Sequence, residues 1–287
     1  MELTQELKQE FASKRVCVNG ITLNVIDVGQ GEPVLLLHGF PDTHAIWRHQ
    51  IPALLKAGYR VIAPDLRGCG QSDIPRSRWT YRLKNLVADV SALLDALQLR
   101  QVRLVAHDWG AVIGWAFVLR HPERVSCYVA MSVGHPTCYA RAGLLQKLKG
   151  YYTLVFQLPW LPEWLLTLGN FKGLAVLGGS PLEMPQWRKA LSVPGRLTAG
   201  INYYRANPDL LLPFSHGDAL VPVYGIYSTG DRFLVESQMT NSQRYCKRGW
   251  SYSRLDRVGH WMTVEAPEQV NTLLLSYLER QVPSPTH

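Results

Sequence analysis

The first half of the chain alternates short apolar, β-branched runs with longer stretches of helical periodicity. Residues 15–18 and 21–28 flank the turn signal Asn19-Gly20, which predicts a β-hairpin. Apolar runs bounded by turn residues predict further strands over residues 33–38, 59–63, 102–107 and 125–131. Apolar side chains at helical spacing predict helices over residues 81–97 and 111–120.

The alternation breaks between residues 136 and 216. This stretch is helical in pattern, rich in Trp, Tyr, Leu and Pro, and contains no convincing strand. Strand patterns resume at residues 221–227 and 251–257, and a last helix is predicted over 267–280. We therefore expect an α/β fold with a doubly wound, mostly parallel eight-stranded sheet and an inserted all-helical cap. The core domain would span residues 1–135 and 217–287, and the cap residues 136–216.

Composition and charge change this picture little. The chain has 287 residues, a net charge of +8 and a pI of about 9.3. Its Lys and Arg residues are scattered, so we expect a solvated basic surface and no nucleic-acid partner. Five cysteines, odd in number and without CxxC spacing, indicate free thiols in a reducing, cytoplasmic compartment and no zinc site.

No secretory or membrane-spanning segment is expected. The first 15 residues carry alternating charges and no apolar core of a signal peptide. No run of roughly 18 apolar residues occurs, and the nearest, 151–168, is interrupted by Gln157, Pro159, Pro162 and Glu163. That aromatic segment is expected to pack against the rest of the protein, with contact to a membrane interface as the alternative.

The candidate chemistry begins at the end of the strand 102–107. There the sequence Ala106-His-Asp-Trp-Gly110 leads into a helix, with small residues two positions on either side of Asp108. A nucleophile elbow requires such small neighbours, because strand and helix approach closely around its strained central residue. A carboxylate there is ionised at neutral pH and could attack an sp³ carbon without a base. Taken alone, Asp108 is equally consistent with a helix cap.

Three further segments end at the same predicted edge of the sheet. His38-Gly-Phe-Pro41 could present the backbone N–H of Phe40 opposite that of Trp109 as an oxyanion hole, although a plain turn is the alternative. Ser228-Thr-Gly-Asp231 could supply an acid, and Gly259-His260-Trp261 a base, where an ordinary turn and an inert loop histidine are the alternatives. The order nucleophile, acid, base is the one α/β-hydrolases use.

Together the segments HGFP, DLRGCGQSD (65–73), AHDWGA, STGD and GHW resemble the epoxide hydrolase branch of the α/β-hydrolase superfamily. The resemblance extends from residue 16 to about residue 278. It implies that Asp108 is the alkylated nucleophile, Asp231 the acid and His260 the base that activates water. The segment 65–73 is interpreted as structural. A substrate pocket is expected from His38, Phe40, Pro41, Trp109 and Trp261.

The same family uses two cap tyrosines to hold and protonate the epoxide oxygen. The resemblance assigns these roles to Tyr152 and Tyr204, with the adjacent Tyr151 and Tyr203 as rivals in register. A phenol with a pKa of about 10 is a suitable donor to an alkoxide. Tyrosines that merely pack the cap are the alternative.

These residues predict hydrolysis of a small apolar epoxide to a diol through an ester on Asp108. No metal or organic cofactor is required, and we expect a monomer or homodimer. A haloalkane dehalogenase is the competing function, with Trp160, Trp164 or Trp187 as the second halide donor; Phe40 stands where that chemistry favours Asn. A serine esterase is disfavoured because the elbow carries no serine. A non-catalytic ligand-binding protein is the alternative from another class.

Overall fold

The computed structural model describes residues 11–212 and 214–281. In this part of the chain the strands are β1 (Ser13–Val18), β2 (Ile21–Val28), β3 (Pro33–Leu37), β4 (Arg60–Pro64), β5 (Val102–His107), β6 (Val125–Met131), β7 (Val223–Ser228) and β8 (Trp250–Leu255). The helices outside the insertion are α1 (Gln50–Lys56), α2 (Leu83–Ala96), α3 (Trp109–Arg120), α10 (Glu236–Thr240), α11 (Met262–Glu265) and α12 (Pro267–Arg280). Those within it are α4 (Pro136–Ala140), α5 (Leu144–Lys149), α6 (Tyr152–Val155), α7 (Leu161–Leu177), α8 (Met184–Leu191) and α9 (Arg196–Arg205).

The eight strands form one sheet in the order β1-β2-β4-β3-β5-β6-β7-β8. The pairs β1–β2 and β2–β4 are antiparallel, and all pairs from β4 to β8 are parallel. Helices α2 and α3 pack together, as do α1 and α12, so helices cover the sheet in two groups. The predicted doubly wound, mostly parallel sheet is confirmed.

The central strands carry the core and determine where the site can lie. Every residue of β5 is buried, as a parallel strand between two helical layers requires. The predicted bounds of β5, β6 and the helix α12 agree with the structure. Because β3, β5, β6, β7 and β8 run parallel, the segments that follow them emerge at one edge of the sheet.

The predicted insertion between β6 and β7 contains helices and no strand among its described residues. We call residues 136–216 the helical insertion; its status as a separate domain, with the boundaries given above, stays a prediction. Helix α7 is interrupted at residues 168–171, whose backbone dihedral angles are not helical.

Two expectations from the sequence were incomplete or wrong. The short helix α1 was not predicted, because seven residues containing a proline show too little periodicity. The segment 151–168 was expected to be buried, yet Tyr151 is 59% exposed and Trp160 74%. Phe156 and Leu166 do reach the interior. Among the described residues, no helix is long and apolar enough to cross a membrane.

Candidate active site

Asp108 lies at the sharp turn between β5 and α3. Its backbone is left-handed (φ 52°, ψ −123°), a strained conformation for a residue with a side chain. A Cβ on Gly110 would collide with the carbonyl oxygens of Leu37 and His38, which explains why that position is glycine. The Asp108 side chain makes no capping hydrogen bond to helix α3, so helix capping does not account for it.

The carboxylate of Asp108 is instead directed into the site. Its Oδ1 accepts a hydrogen bond of 2.8 Å from the backbone N–H of Phe40. Gly39 has to be glycine, since a Cβ there would collide with this carboxylate. The N–H of Trp109 also contributes to stabilising the ionised form of Asp108. Of the two donors expected for an oxyanion hole, the N–H of Phe40 therefore makes a hydrogen bond to the Asp108 side chain.

His260 lies between two carboxylates. Its Nδ1 is 2.7 Å from Oδ2 of Asp231, and its Nε2 is 3.4 Å from Oδ2 of Asp108. The other oxygen of Asp231 accepts hydrogen bonds from the backbone N–H groups of Phe233 (2.7 Å) and Leu234 (3.0 Å). Asp231 thus fixes the orientation of the imidazole, whose Nε2 faces Asp108.

This arrangement determines the charge states in the resting site. Burial by itself would lower the pKa of His260, but the charge of Asp231 and the hydrogen bonds to Asp108 and Asp231 raise it to about 10. Burial by itself would raise the pKa of Asp108, but the hydrogen bond and the charge of His260 bring it below its ordinary value of 3.8. At neutral pH the imidazole is protonated and Asp108 is ionised.

Hydrogen bonds to backbone carbonyls hold the loops that carry Asp231 and His260. The hydroxyl of Ser228 donates to the carbonyl of Gly259 (2.7 Å), and the N–H of Gly230 donates to the carbonyl of Val258 (2.8 Å). On the other side, Nε2 of His107 lies 2.9 Å from the carbonyl oxygen of His260. Burial, and next the charge of His260, lower the pKa of His107 to about 4. A neutral His107 can donate to that carbonyl.

Tyr152 and Tyr204 come from helices α6 and α9 and line the cavity that contains Asp108. Their ring centroids are 5.9 Å apart, and the ring of Tyr204 also packs edge-on against Trp109 at 5.0 Å. Burial and the nearby negative charge of Asp108 raise the pKa of Tyr204 well above 10. Burial and the neighbouring Tyr204 hydroxyl raise the pKa of Tyr152 well above 10. Both hydroxyls keep their protons at neutral pH.

The rival tyrosines face elsewhere. Tyr151 is 59% exposed. The hydroxyl of Tyr203 donates a 2.8 Å hydrogen bond to the buried carbonyl of Arg67. Only the pair chosen from the sequence, Tyr152 and Tyr204, lines the cavity with Asp108 among these four residues.

The cavity at Asp108 has a volume of about 380 Å³ and is mostly apolar. It extends along helix α3 past Trp115 and Leu119 towards His216. A smaller cavity of about 30 Å³ adjoins it on the side of His260. Four residues line both cavities and so lie at their junction: Asp108, Tyr152, Tyr204 and Phe233.

Four of the five expected pocket residues line one of these cavities: Trp109 the larger one, and Phe40, Pro41 and Trp261 the smaller one. The fifth, His38, lines neither of these two cavities. Its Nε2 accepts from the N–H of Leu66 (3.0 Å), and its Nδ1 lies 2.9 Å from the Gly39 carbonyl. With both nitrogens engaged, His38 ties the turn after β3 to the 65–73 loop.

Several residues at the site were missed from the sequence. Asp42, one position after the HGFP segment, is buried and accepts hydrogen bonds from the indoles of Trp187 (2.7 Å) and Trp261 (3.1 Å). Phe233 and Tyr139 line the larger cavity. The position of Asp42 directly after the HGFP segment could have indicated its role. Phe233 and Tyr139 stand in no recognisable sequence pattern.

Helix α5 contacts the loop that carries Asp231, residues 229–235, which we call the acid loop. The sequence did not indicate this contact either. Nζ of Lys149 donates to the carbonyls of Asp231 (2.5 Å) and Leu234 (2.7 Å). The Gln146 side chain donates to the carbonyl of Phe233 (2.9 Å) and accepts from the N–H of Val235 (3.0 Å). The insertion and the acid loop are therefore joined by polar contacts.

Comparisons with known proteins identify the family of this chain. A family model described as alpha/beta hydrolase fold matches residues 32–267. The AB hydrolase superfamily protein YfhM of Bacillus subtilis (strain 168) is 34% identical over 279 residues, which cover 93% of this chain and 97% of that protein. Epoxide hydrolase 4 of Homo sapiens is 31% identical over 285 residues, which cover 93% of this chain and 78% of that protein.

Solved structures give the same result. The crystal structure of Bacillus megaterium epoxide hydrolase in complex with an inhibitor superposes with a TM-score of 0.84 at 30% identity, covering 93% of this chain and all of that one. The chain therefore belongs to the α/β-hydrolase fold family, as an enzyme of its epoxide hydrolase branch. The resemblance drawn from the sequence motifs is confirmed.

Proposed function

We propose that this enzyme converts a small apolar epoxide to a vicinal diol through a covalent hydroxyalkyl ester on Asp108. The observation that carries the proposal is the junction of the two cavities, where a carboxylate at an elbow faces two protonated phenols. A carboxylate nucleophile and neutral hydrogen-bond donors are what the opening of an epoxide ring requires.

In the first step Asp108 attacks one epoxide carbon. A bond forms between a carboxylate oxygen and that carbon, while the bond from the same carbon to the epoxide oxygen breaks. Tyr152 and Tyr204 hydrogen-bond to the departing oxygen, and one of them gives it a proton. Their raised pKa values keep both phenols protonated until the alkoxide forms.

In the second step water hydrolyses the ester. Once Asp108 is esterified, its negative charge no longer stabilises the His260 imidazolium, so the pKa of His260 falls. The imidazolium proton then passes through solvent to the phenolate left by the first step, and the neutral imidazole can act as a base. His260 takes a proton from water, and the oxygen of that water attacks Cγ of Asp108. The N–H groups of Phe40 and Trp109 stabilise the oxyanion, which is worth roughly 3–4 kcal/mol per donor in comparable sites. As the Cγ–O bond to the substrate breaks, His260 gives the proton to the departing oxygen and the diol is released. The carboxylic acid left on Asp108 then gives its proton to His260, which restores the resting charge states.

A single turnover in ¹⁸O-water tests this route. The new hydroxyl of the first diol comes from Asp108, so we expect unlabelled diol in the first turnover and one ¹⁸O atom in the Asp108 carboxylate. Diol that carries ¹⁸O in the first turnover would show that water attacks the epoxide directly and would eliminate the ester.

The competing haloalkane dehalogenase receives less support from the site. Trp160 and Trp164 are 74% and 56% exposed, and the indole N–H of Trp187 donates to Asp42. None of the three is available as a second halide donor beside Trp109, and Phe40 is not an amide. Diol formation from styrene oxide without bromide release from 1-bromobutane is the expected outcome.

A non-catalytic binding protein is disfavoured because recognition alone needs neither the strained elbow of Asp108 nor the His260–Asp231 pair.

We further propose that the helical insertion acts as a cap domain over the core. All five cysteines are free in the structure, which supports a reducing, cytoplasmic location.

A further inference from the structure

Helix α5 has an inverted distribution of polar and apolar side chains. Its polar residues Gln146 and Lys149 face inwards, to the acid loop described above. Its three leucines face solvent: Leu144, Leu145 and Leu148 are 71%, 60% and 61% exposed. A surface helix ordinarily buries its leucines and exposes its polar groups. The leucines of α5 therefore do not serve the protein's own core.

These leucines belong to a larger set of exposed apolar side chains, which we call the apolar face. Of the seventeen large hydrophobic residues exposed in the described chain, ten fall within residues 144–168. They are Leu144, Leu145, Leu148, Tyr151, Leu154, Leu158, Trp160, Trp164, Leu165 and Leu168. A single exposed leucine needs no explanation, but a concentration of this kind marks a binding surface.

The helical insertion that carries the apolar face has a net positive charge. The helical insertion carries eight Lys and Arg residues and three Asp and Glu residues, so it holds most of the net charge of the chain. All three acids are paired: Glu163 with Arg205, Glu183 with Arg48, and Asp209 with Arg82. Lys147 and Lys172 are exposed, and none of the described carboxylates lies within salt-bridge distance of either.

We propose that the apolar face binds the surface of an anionic phospholipid membrane. Leucine, tryptophan and tyrosine side chains would enter the boundary between headgroups and acyl chains, while Lys147 and Lys172 meet the anionic headgroups. A second copy of this chain is a poorer occupant, because it would bring two positively charged insertions together. The proposal does not depend on the reaction at Asp108.

Flotation of the full chain with lipid vesicles tests the proposal. We expect binding to vesicles with about 30% phosphatidylserine in phosphatidylcholine and at least tenfold weaker partitioning to pure phosphatidylcholine. Raising the salt concentration to about 0.5 M should weaken the binding, since it screens the headgroup charges. Equal partitioning to both vesicles, or none to either, would overturn the proposal.

Variants locate the binding on the molecule. The triple variant Leu144→Gln/Leu148→Gln/Leu154→Gln should lose about tenfold or more in partitioning, because three inserted side chains become polar. The control Leu182→Gln/Val193→Gln/Leu220→Gln changes three other exposed apolar residues, 57%, 44% and 55% exposed, outside the apolar face and should bind like the wild type. Equal losses in both variants would mean that the apolar face is not the contact.

A second pair of variants distinguishes the effect of charge in the helical insertion from the effect of the net charge of the protein. Lys147→Glu/Lys172→Glu and Lys84→Glu/Arg248→Glu change the net charge equally, but only the first pair lies in the helical insertion. We expect roughly tenfold or greater weakening in the first variant and a smaller effect in the second. If sedimentation velocity shows a stable dimer that the triple leucine variant abolishes, and vesicles do not bind, the apolar face is a self-association surface and the membrane proposal is wrong.

Discussion

The loops at the carboxyl edge of the sheet and the helical insertion contribute to one cavity, but they hold their side chains in different ways. At the sheet edge, hydrogen bonds fix the reacting atoms: Phe40 N–H to Asp108 at 2.8 Å and His260 to Asp231 at 2.7 Å. In the insertion, ring packing holds the phenols. Tyr152 and Tyr204 pack edge-on against Phe156, with centroids 5.5 Å and 4.9 Å apart.

The difference separates two tasks. Hydrogen bonds constrain individual atoms to a few tenths of an ångström, which suits a nucleophile and a base whose atoms must meet. Ring packing fixes the shape and dryness of a cavity but leaves its lining replaceable by residues of similar volume. We therefore expect changes to Asp108 or His260 at the sheet edge to abolish the reaction and changes in the insertion to alter its efficiency.

The largest expected effect is that of Asp108→Asn. An amide is a poor nucleophile, so turnover should fall by about 10⁴-fold or more while the protein stays folded. The matched control is Asp42→Asn, at a buried carboxyl of the same edge whose pKa burial raises well above the ordinary value. We expect this control to keep turnover within about tenfold of the wild type, since Asp42 contacts tryptophans and not Asp108. Steady-state rates within tenfold for Asp108→Asn would mean that another group attacks.

The two phenols provide the next test. Tyr152→Phe and Tyr204→Phe should each lower kcat/KM by about 10²-fold, because each removes one donor to the epoxide oxygen. Tyr151→Phe should change nothing. Tyr203→Phe should lower the free energy of unfolding by about 1–3 kcal/mol, through the buried Arg67 carbonyl left without its donor, at an unchanged rate per folded molecule. An equal loss of kcat/KM in Tyr203→Phe would contradict the assignment of the pair.

The same contrast explains what could be predicted from the sequence. Asp108, Asp231 and His260 follow buried strands within short motifs, and parallel strands bring such segments to one edge. The bounds of β5 and β6 followed from short apolar runs flanked by turn residues, a pattern typical of buried strands. The residues at the sheet edge could therefore be predicted from local sequence patterns.

The contacts of the helical insertion were harder to predict from the sequence, because they join residues far apart in the chain. The choice of Tyr204 over Tyr203 came from a family resemblance, and only the Arg67 carbonyl, 136 residues away, gives a physical reason for it. The exposure of residues 151–168 was predicted wrongly, since an apolar composition says nothing about which surface covers it. The motif around His38 likewise did not indicate that this side chain holds the 65–73 loop through the N–H of Leu66.

The pH dependence of the two steps should differ within one enzyme. Ester formation needs ionised Asp108 and protonated phenols. The pKa of Asp108 lies below 3.8, and the pKa values of Tyr152 and Tyr204 lie well above 10. The rate of ester formation should therefore be flat from about pH 5 to 9. Ester hydrolysis needs neutral His260 and should rise with pH until that imidazole has lost its proton. Single-turnover tryptophan fluorescence, with Trp109 beside the nucleophile, can separate the steps.

Protein stability provides an independent check on His260. Its folded pKa of about 10 lies above the ordinary 6.5, so its contribution to stability is complete below pH 6.5 and is lost as the pH rises towards 10. Urea unfolding of the wild type and of His260→Gln should show stabilities that converge over this range. A difference in unfolding free energy that does not change between pH 6.5 and 10 would mean that the imidazole is not held as a cation.

The smallest expected effect concerns the polar contacts that join the two regions. Lys149→Met removes the ammonium group bonded to the Asp231 and Leu234 carbonyls, so the acid loop should lose alignment with His260. We expect kcat to fall about threefold to tenfold with little change in KM, and the free energy of unfolding to fall by about 1–2 kcal/mol. Lys147→Met, on the exposed side of the same helix, removes an equal charge and should change neither quantity. A rise in KM without a change in kcat would instead mean that α5 shapes the substrate cavity and leaves His260 unaffected. The contact between Lys149 and the acid loop would then serve substrate binding and not the alignment of the imidazole.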